Sequence, residues 1–305
     1  MLMAKLTTGW SQPRLQFTRE WCAVIAVVML DAVWARSIGF HLVVTPQDFL
    51  QIGAALAIAA LVLMRRWNRL GLFAEYFALT GAATGAFAVL SYLALASSGT
   101  LRDDVLLSID RALGFDWPAG LAFLKAHALI ATILKFAYNS MLYQGLYFGV
   151  LLALMDEAAR LRQMFWLVLV AGLITSAGVL LWPALGPFKV FHAGPPDSFL
   201  PEMERIRAHA LSFALGKLTG VVSFPSFHTT MALAYVWGFR RTSAVGWMIG
   251  VINLAMLCAI PWYGGHYLTD MIGGACVFAL SLAIVQGLPH LALRPRALPA
   301  MEQLA

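Results

Sequence analysis

Charge is what this chain has least of. Of its 305 residues only 12% are Asp, Glu, Lys or Arg, while 61% are hydrophobic. A soluble globular domain carries roughly 25% charged residues. The deficit excludes an ordinary soluble enzyme and points to a protein whose surface faces lipid. Cysteine is also scarce. Cys22, Cys258 and Cys276 are odd in number, fall in apolar segments and have no metal-ligand spacing. A disulfide framework and a cysteine metal site are thereby set aside, and packing is the expected role. No Ser- or Pro-rich linker divides the chain and no internal repeat is evident, so residues 1–305 read as a single integral membrane domain. A cleaved signal peptide is not expected, because the first apolar stretch is long and contains Asp31 and Arg36. Those two groups are expected to pair with each other or with a neighbouring helix.

Long apolar runs, by contrast, are abundant. A spanning helix needs about 20 mostly apolar residues. The segments 20–43, 49–65, 72–97, 134–155, 163–182, 221–239, 243–262 and 266–288 qualify. The expected fold class is therefore all-α: a polytopic transmembrane helix bundle of about eight spans, six to eight allowing for uncertain segments. Within it, 20–155 reads as an N-terminal set of spans and 163–288 as the part that carries the polar motifs. Lys and Arg set the orientation. With the N-terminus in the cytoplasm, Lys5, Arg14, Arg19, Arg65, Arg66, Arg69, Arg160, Arg162, Arg240, Arg241, Arg294 and Arg296 all fall on the cytoplasmic side. Both termini are then cytoplasmic, in a plasma or inner membrane. The net charge of +6 is read as this orientation signal, and no nucleic-acid partner is expected.

Two loops on the opposite, extracytoplasmic side are too long to be turns. In the first, about 98–133, Leu106, Ile109 and Leu113 recur at helical spacing beside Asp103, Asp104 and Arg111. An amphipathic helix lying on the membrane surface is predicted there. Asp116 and Pro118 start a second short helix, and the apolar run after it is divided near residue 133. The second loop, 183–220, opens irregularly with "PALGPFKVFHAGPPD" and continues with a partly basic helix around 198–218.

Polar chemistry collects at this side. His228 stands in "SFPSFHTT", at the outer end of the sixth span, and His266 in "YGGHYLTD", at the outer start of the eighth. Asp270 comes four residues after His266, a spacing that stacks two side chains on one helix face. A carboxylate so placed can accept the Nδ1–H of the imidazole and leave Nε2 free. Ser226 and the first amides of its helix offer a phosphate site, and Gly265 allows a substrate to approach the backbone closely. Tyr138, Asn139, Ser140 and Gln144 in "YNSMLYQ" are read as interhelical hydrogen bonders.

"FPSFH" followed by "GGHYLTD" resembles the second and third motifs of the type 2 phosphatidic acid phosphatase superfamily, with wording closest to the inositol phosphorylceramide synthase-like branch. The resemblance is clear over about the last third of the chain. It implies that His266 attacks phosphorus to form a phosphohistidine, that Asp270 orients it, and that His228 protonates the leaving group and later acts as base. No metal or other cofactor is implied. Two of the family's cationic positions are absent: there is no Lys-x6-Arg-Pro motif, and Ala259 and Ile260 stand where the third motif has Ser-Arg. Another cation is then expected to meet the phosphate, with Arg207 first, and Lys189, Arg205, Lys217 and Lys135 as alternatives.

The resemblance makes the expected function that of a membrane lipid phosphatase or phosphotransferase. It would take a lipid phosphate or pyrophosphate from the bilayer and give it to water or, for transfer, to a polyol acceptor. A lipid transporter or flippase is the competing class, a metalloenzyme using the two His and one Asp a third, and a catalytically silent relative a further alternative. Against transport, the polar groups gather at one face and not at the midplane.

Overall fold

The computed structural model describes residues 17–46, 68–155, 157–195, 198–240 and 243–287. Elements are numbered through those residues. The long helices are α1 (Thr18–Ile38), α2 (Asn68–Ser97), α5 (Ala128–Leu154), α6 (Ala158–Leu181), α10 (Ser243–Tyr263) and α11 (Leu268–Gly287). Shorter helices lie between them: α3 (Asp103–Ala112), α4 (Trp117–Ala126), α7 (Pro187–Val190), α8 (Leu200–Arg207) and α9 (Phe227–Phe239). Among the described residues α1, α2, α6, α10 and α11 are long and apolar enough to cross a membrane. Helices α4 and α5 meet at a 113° bend and add a sixth if taken as one broken span. The protein is thus an all-α polytopic bundle.

Segment 49–65 lies outside the described residues, and two other expectations about the spans change. Residues 221–226 are not helical, and α9 has only 13 residues, which reach about 20 Å at 1.5 Å per residue. The cause is local: Pro225 disfavours helical backbone at the residue before it, and Ser226 caps α9 by accepting from the Thr229 amide at 3.3 Å. The division of the fourth span falls at His127 and not near 133. The His127 ring stacks on Phe123 with centroids 4.1 Å apart, and its Nδ1 lies 2.8 Å from the Phe123 carbonyl.

The interior is built where α2, α5, α6 and α9 meet, from Leu79, Phe148, Leu152, Phe165 and Phe239. Outward faces remain apolar: Leu142, Leu181 and Trp247 are exposed, as lipid requires. All three cysteines are free and also exposed, so the packing role expected for them is replaced by a lipid-side position. Asn253 donates to Gln144 at 2.6 Å, and Gln144 to Ser140 at 2.9 Å, tying α10 to α5. Asp31 and Arg36 do not pair, since five residues along a helix separate them by about 140°; Asp31 is buried and Arg36 exposed.

The end of the bundle that bears the long loops is also ordered. Residues His41–Val43 (β1) pair in parallel with Ser212–Ala214 (β2), joining the end of α1 to the second loop. Helix α3 was expected to float on the membrane surface. Instead Leu106 is buried against Ala184 and Tyr267, and Ile109 and Leu113 are the exposed residues.

Candidate active site

His266 lies in the loop between α10 and α11, outside both spans, and is buried. Its Nδ1 faces Asp270 Oδ2 at 3.3 Å. The same oxygen accepts from the Tyr267 amide at 2.9 Å and the Ser223 hydroxyl at 3.2 Å. Asp270 Oδ1 is buried with no hydrogen-bond partner among the described residues. Burial lowers the His266 imidazole to about 4, with a smaller upward pull from the Ser223 backbone carbonyl. The ring is therefore neutral at pH 7, and one nitrogen keeps its lone pair.

His228 sits in the first turn of α9. Its ring centroid is 6.2 Å from that of His266, at an interplanar angle of 58°, so one phosphoryl group can reach both. The approach depends on tight contact between α9 and α11. The Ser226 amide donates to the Asp270 carbonyl at 2.9 Å, and Thr230 Oγ1 to the Gly274 carbonyl at 2.9 Å. A Cβ at Gly274 would stand 2.3 Å from the Ser226 carbonyl oxygen, so a small residue is needed there. His228 also stacks on Tyr138, with centroids 4.6 Å apart and planes 13° apart. The Tyr138 hydroxyl is buried and has no hydrogen-bond partner among the described residues.

The remaining expected site residues divide. Gly265 adjoins His266 with φ +62°, and a Cβ on it would meet the Phe188 ring at 2.6 Å. Across from it, Gly186 has φ +87°, and a Cβ there would stand 2.3 Å from the Gly265 carbonyl oxygen. Gly186→Ala is therefore expected to cost about 1–3 kcal/mol of stability and to depress activity by displacing the Gly265–His266 segment. Thermal unfolding in detergent and initial rates check this. Ser226 is fully buried, and its hydroxyl caps α9.

Three of the five expected cations have partners of their own. Arg207 donates to the Ser98 carbonyl at 2.8 Å, the Ser98 hydroxyl at 3.0 Å and the Gly99 carbonyl at 2.9 Å, closing the C-terminal end of α2. Helix C-termini leave carbonyls without partners and attract cations, which is the physical reason for its place. Lys189 pairs with Glu204, and Arg205 with Glu202 at 3.1 Å. Lys135 and Lys217 are exposed. Among the described residues no group of three or more His, Cys, Asp or Glu could hold a metal ion.

A family model described as PAP2 superfamily matches residues 104–284, more than half of the chain. The chain belongs to the PAP2 superfamily. The matched PAP2 region starts in α3 and includes most of the first long loop, all of the second, and both His228 and His266. Membership supports a membrane lipid phosphoesterase of the phosphatase type. No curated protein and no solved structure matches the chain.

Sequence reasoning passed over several groups at this PAP2 site. Ser223 and Tyr267 carried no signal beyond lying next to the motifs. Asp103 is expected beside the apolar stripe of a surface helix, and Asp110 has no assigned role in that reading. Their spacing of seven places them on the same face as Leu106, and acids sharing a face with a buried leucine were the available clue. Asp103 accepts from the Leu185 amide at 3.1 Å, the Gly186 amide at 2.7 Å and the Tyr267 hydroxyl at 3.1 Å. Burial raises its carboxyl above the ordinary value, and those donors act against the rise.

Proposed function

We propose that the protein is a histidine phosphoesterase acting on lipid phosphates or pyrophosphates through a phosphohistidine intermediate. The observation that carries this reading is the His266–Asp270 contact with a second imidazole, His228, 6.2 Å away between ring centroids. In the proposed first step the free His266 nitrogen attacks phosphorus, and the phosphorus–oxygen bond to the lipid breaks. His228 gives its proton to the departing oxygen. The phosphate's negative charge favours an imidazolium at His228. In the second step His228 takes a proton from water or an alcohol, which attacks phosphorus and frees His266. Asp270 stabilises the positive charge that His266 gains.

Water as the second nucleophile makes the protein a phosphatase. A polyol makes it a headgroup transferase, as the likeness of its motifs to the inositol phosphorylceramide synthase branch suggests. The basic segments support an orientation with both termini in the cytoplasm of a plasma or inner membrane, and the site then faces the extracytoplasmic side. Lys189 is the cation we assign to the phosphate. It is the next residue after Phe188, whose ring packs on Gly265, and its partner Glu204 is also solvent-exposed. An exposed ion pair is worth about 0–1 kcal/mol, so a phosphate can replace Glu204 at little cost. No metal is required by this chemistry.

The test is to give purified protein a labelled phospholipid, with and without inositol, and to monitor free phosphate against a new lipid. Release of phosphate in both conditions identifies a phosphatase. A new lipid only with inositol identifies a transferase. Neither product from phosphatidic acid, prenyl pyrophosphate or phosphoceramide substrates would sink the proposal.

A further inference from the structure

Helix α11 starts without a cap of its own. The residue at its N-cap position is Tyr267, whose side chain offers no acceptor to the first-turn amides, where Ser, Thr, Asp or Asn is the usual solution. Half of a capping box is nevertheless present. Asp270 is the third helical residue, and its Oδ2 accepts from the Tyr267 amide at 2.9 Å, as the acidic member of such a box does. The other half comes from a different helix. Asp110 of α3 accepts from the Leu268 amide at 2.7 Å through one oxygen, and from the Thr269 amide at 2.8 Å and the Thr269 hydroxyl at 2.5 Å through the other. Asp110 is 1% exposed, so water does not compete for these bonds.

Asp103, two turns earlier on α3, holds the other side of the same loop. It binds the amides of Leu185 and Gly186 and the hydroxyl of Tyr267. Gly186 in turn lies against the Gly265 carbonyl. Residues 264–267 are thus held between two carboxylates. Asp110 fastens the helix start just after His266, and Asp103 fastens the Leu185–Gly186 turn against which Gly265 packs.

We infer that Asp103 and Asp110 are positioning residues for His266, with α3 supplying the missing cap of α11 and so setting the His266–Asp270 geometry. This rests on the reading of His266 as nucleophile. The physical link is short. Asp270 is itself a first-turn residue of α11. If the Leu268 and Thr269 amides lose their acceptors, the first turn frays, and Asp270 moves away from Nδ1 of His266. A displacement of about 1 Å at a reacting group can cost about 10²-fold in rate.

Asp110→Asn is the informative variant, because one amide –NH₂ must then face a backbone N–H that needs an acceptor. The measurements use the full chain in detergent with p-nitrophenyl phosphate as substrate. Inorganic vanadate, which adopts five-coordinate geometry and bonds the nucleophile, is compared with inorganic phosphate, which binds without such a bond. The expected result is a fall in kcat of about 10–100-fold, an equal loss of vanadate inhibition, and KM and phosphate inhibition within about 2-fold of wild type. A kcat within about 2-fold of wild type, or equal weakening of vanadate and phosphate, overturns the inference.

Should Asp110→Asn fail to fold, Tyr267→Phe removes only the hydroxyl that bonds Asp103. A several-fold fall in kcat with the same vanadate–phosphate split is expected there, and unchanged vanadate inhibition overturns the inference. His266→Ala separates the two levels. If that variant stays active, the nucleophile assignment fails, whatever the Asp110 and Tyr267 variants do.

Discussion

His266→Ala is expected to lower turnover by about 10⁴-fold or more on every substrate, with no labelled phosphoenzyme. Removal of a nucleophile that forms a covalent intermediate takes away the whole two-step route, and only the residual help of binding remains. Burial keeps the His266 ring neutral at pH 7, so the nucleophile is in its competent form at that pH. Asp270→Asn is expected to fall between this variant and wild type. Asparagine keeps one acceptor oxygen for the three donors that converge on Asp270 Oδ2, while the charge that stabilises the phosphohistidine is lost. Rapid quench into alkali, where phosphohistidine survives, measures the label directly. Label persisting in His266→Ala would identify another nucleophile.

His228→Ala is expected to divide substrates by leaving group. A lipid alkoxide must be protonated as it departs, and general acid help of this kind is worth about 10²–10⁴-fold. The loss on lipid substrates should lie in that range. p-Nitrophenolate leaves without a proton, so formation of the phosphoenzyme from p-nitrophenyl phosphate should be close to wild type, and label should accumulate because the second step lacks its base. Alanine also removes the ring contact with Tyr138, so thermal unfolding of the variant is measured beside its rates. The reverse pattern, with label in His266→Ala and none in His228→Ala, would exchange the two roles.

The lipid-facing class and the long helices were legible because both depend on local composition. A run of about 20 apolar residues is long enough to span a bilayer wherever it occurs, and α1, α2, α6, α10 and α11 sit within a few residues of their expected places. The exception, α9, is shorter than the apolar run that contains it. Hydrophobicity continues through Val221 and Val222, but Pro225 and the Ser226 cap decide where helix begins. The four-residue step from His266 to Asp270 was legible for the same local reason, although α11 itself starts at Leu268.

The cations were read less well. Arg207 was placed near phosphate on charge and loop position alone. Its partners are the carbonyl and hydroxyl of Ser98 and the carbonyls of Leu95 and Gly99, more than 100 residues away in sequence. A helix end in need of donors is invisible until the loop that covers it is known.

What the sequence determined by itself is the solvent this protein folds in, the helical class which that solvent imposes, and the pairing of His266 with Asp270. Each depends on residues within one segment, where periodicity and length decide the outcome. What only the tertiary structure decided is the company these residues keep. His228 meets His266 because Gly274 lets α11 close on Ser226. Tyr138 reaches His228 from α5. The cap of α11 arrives from α3, across more than 150 residues of chain. Such contacts are set by how helices pack, and packing in a bilayer depends on small residues and buried polar groups meeting across segments.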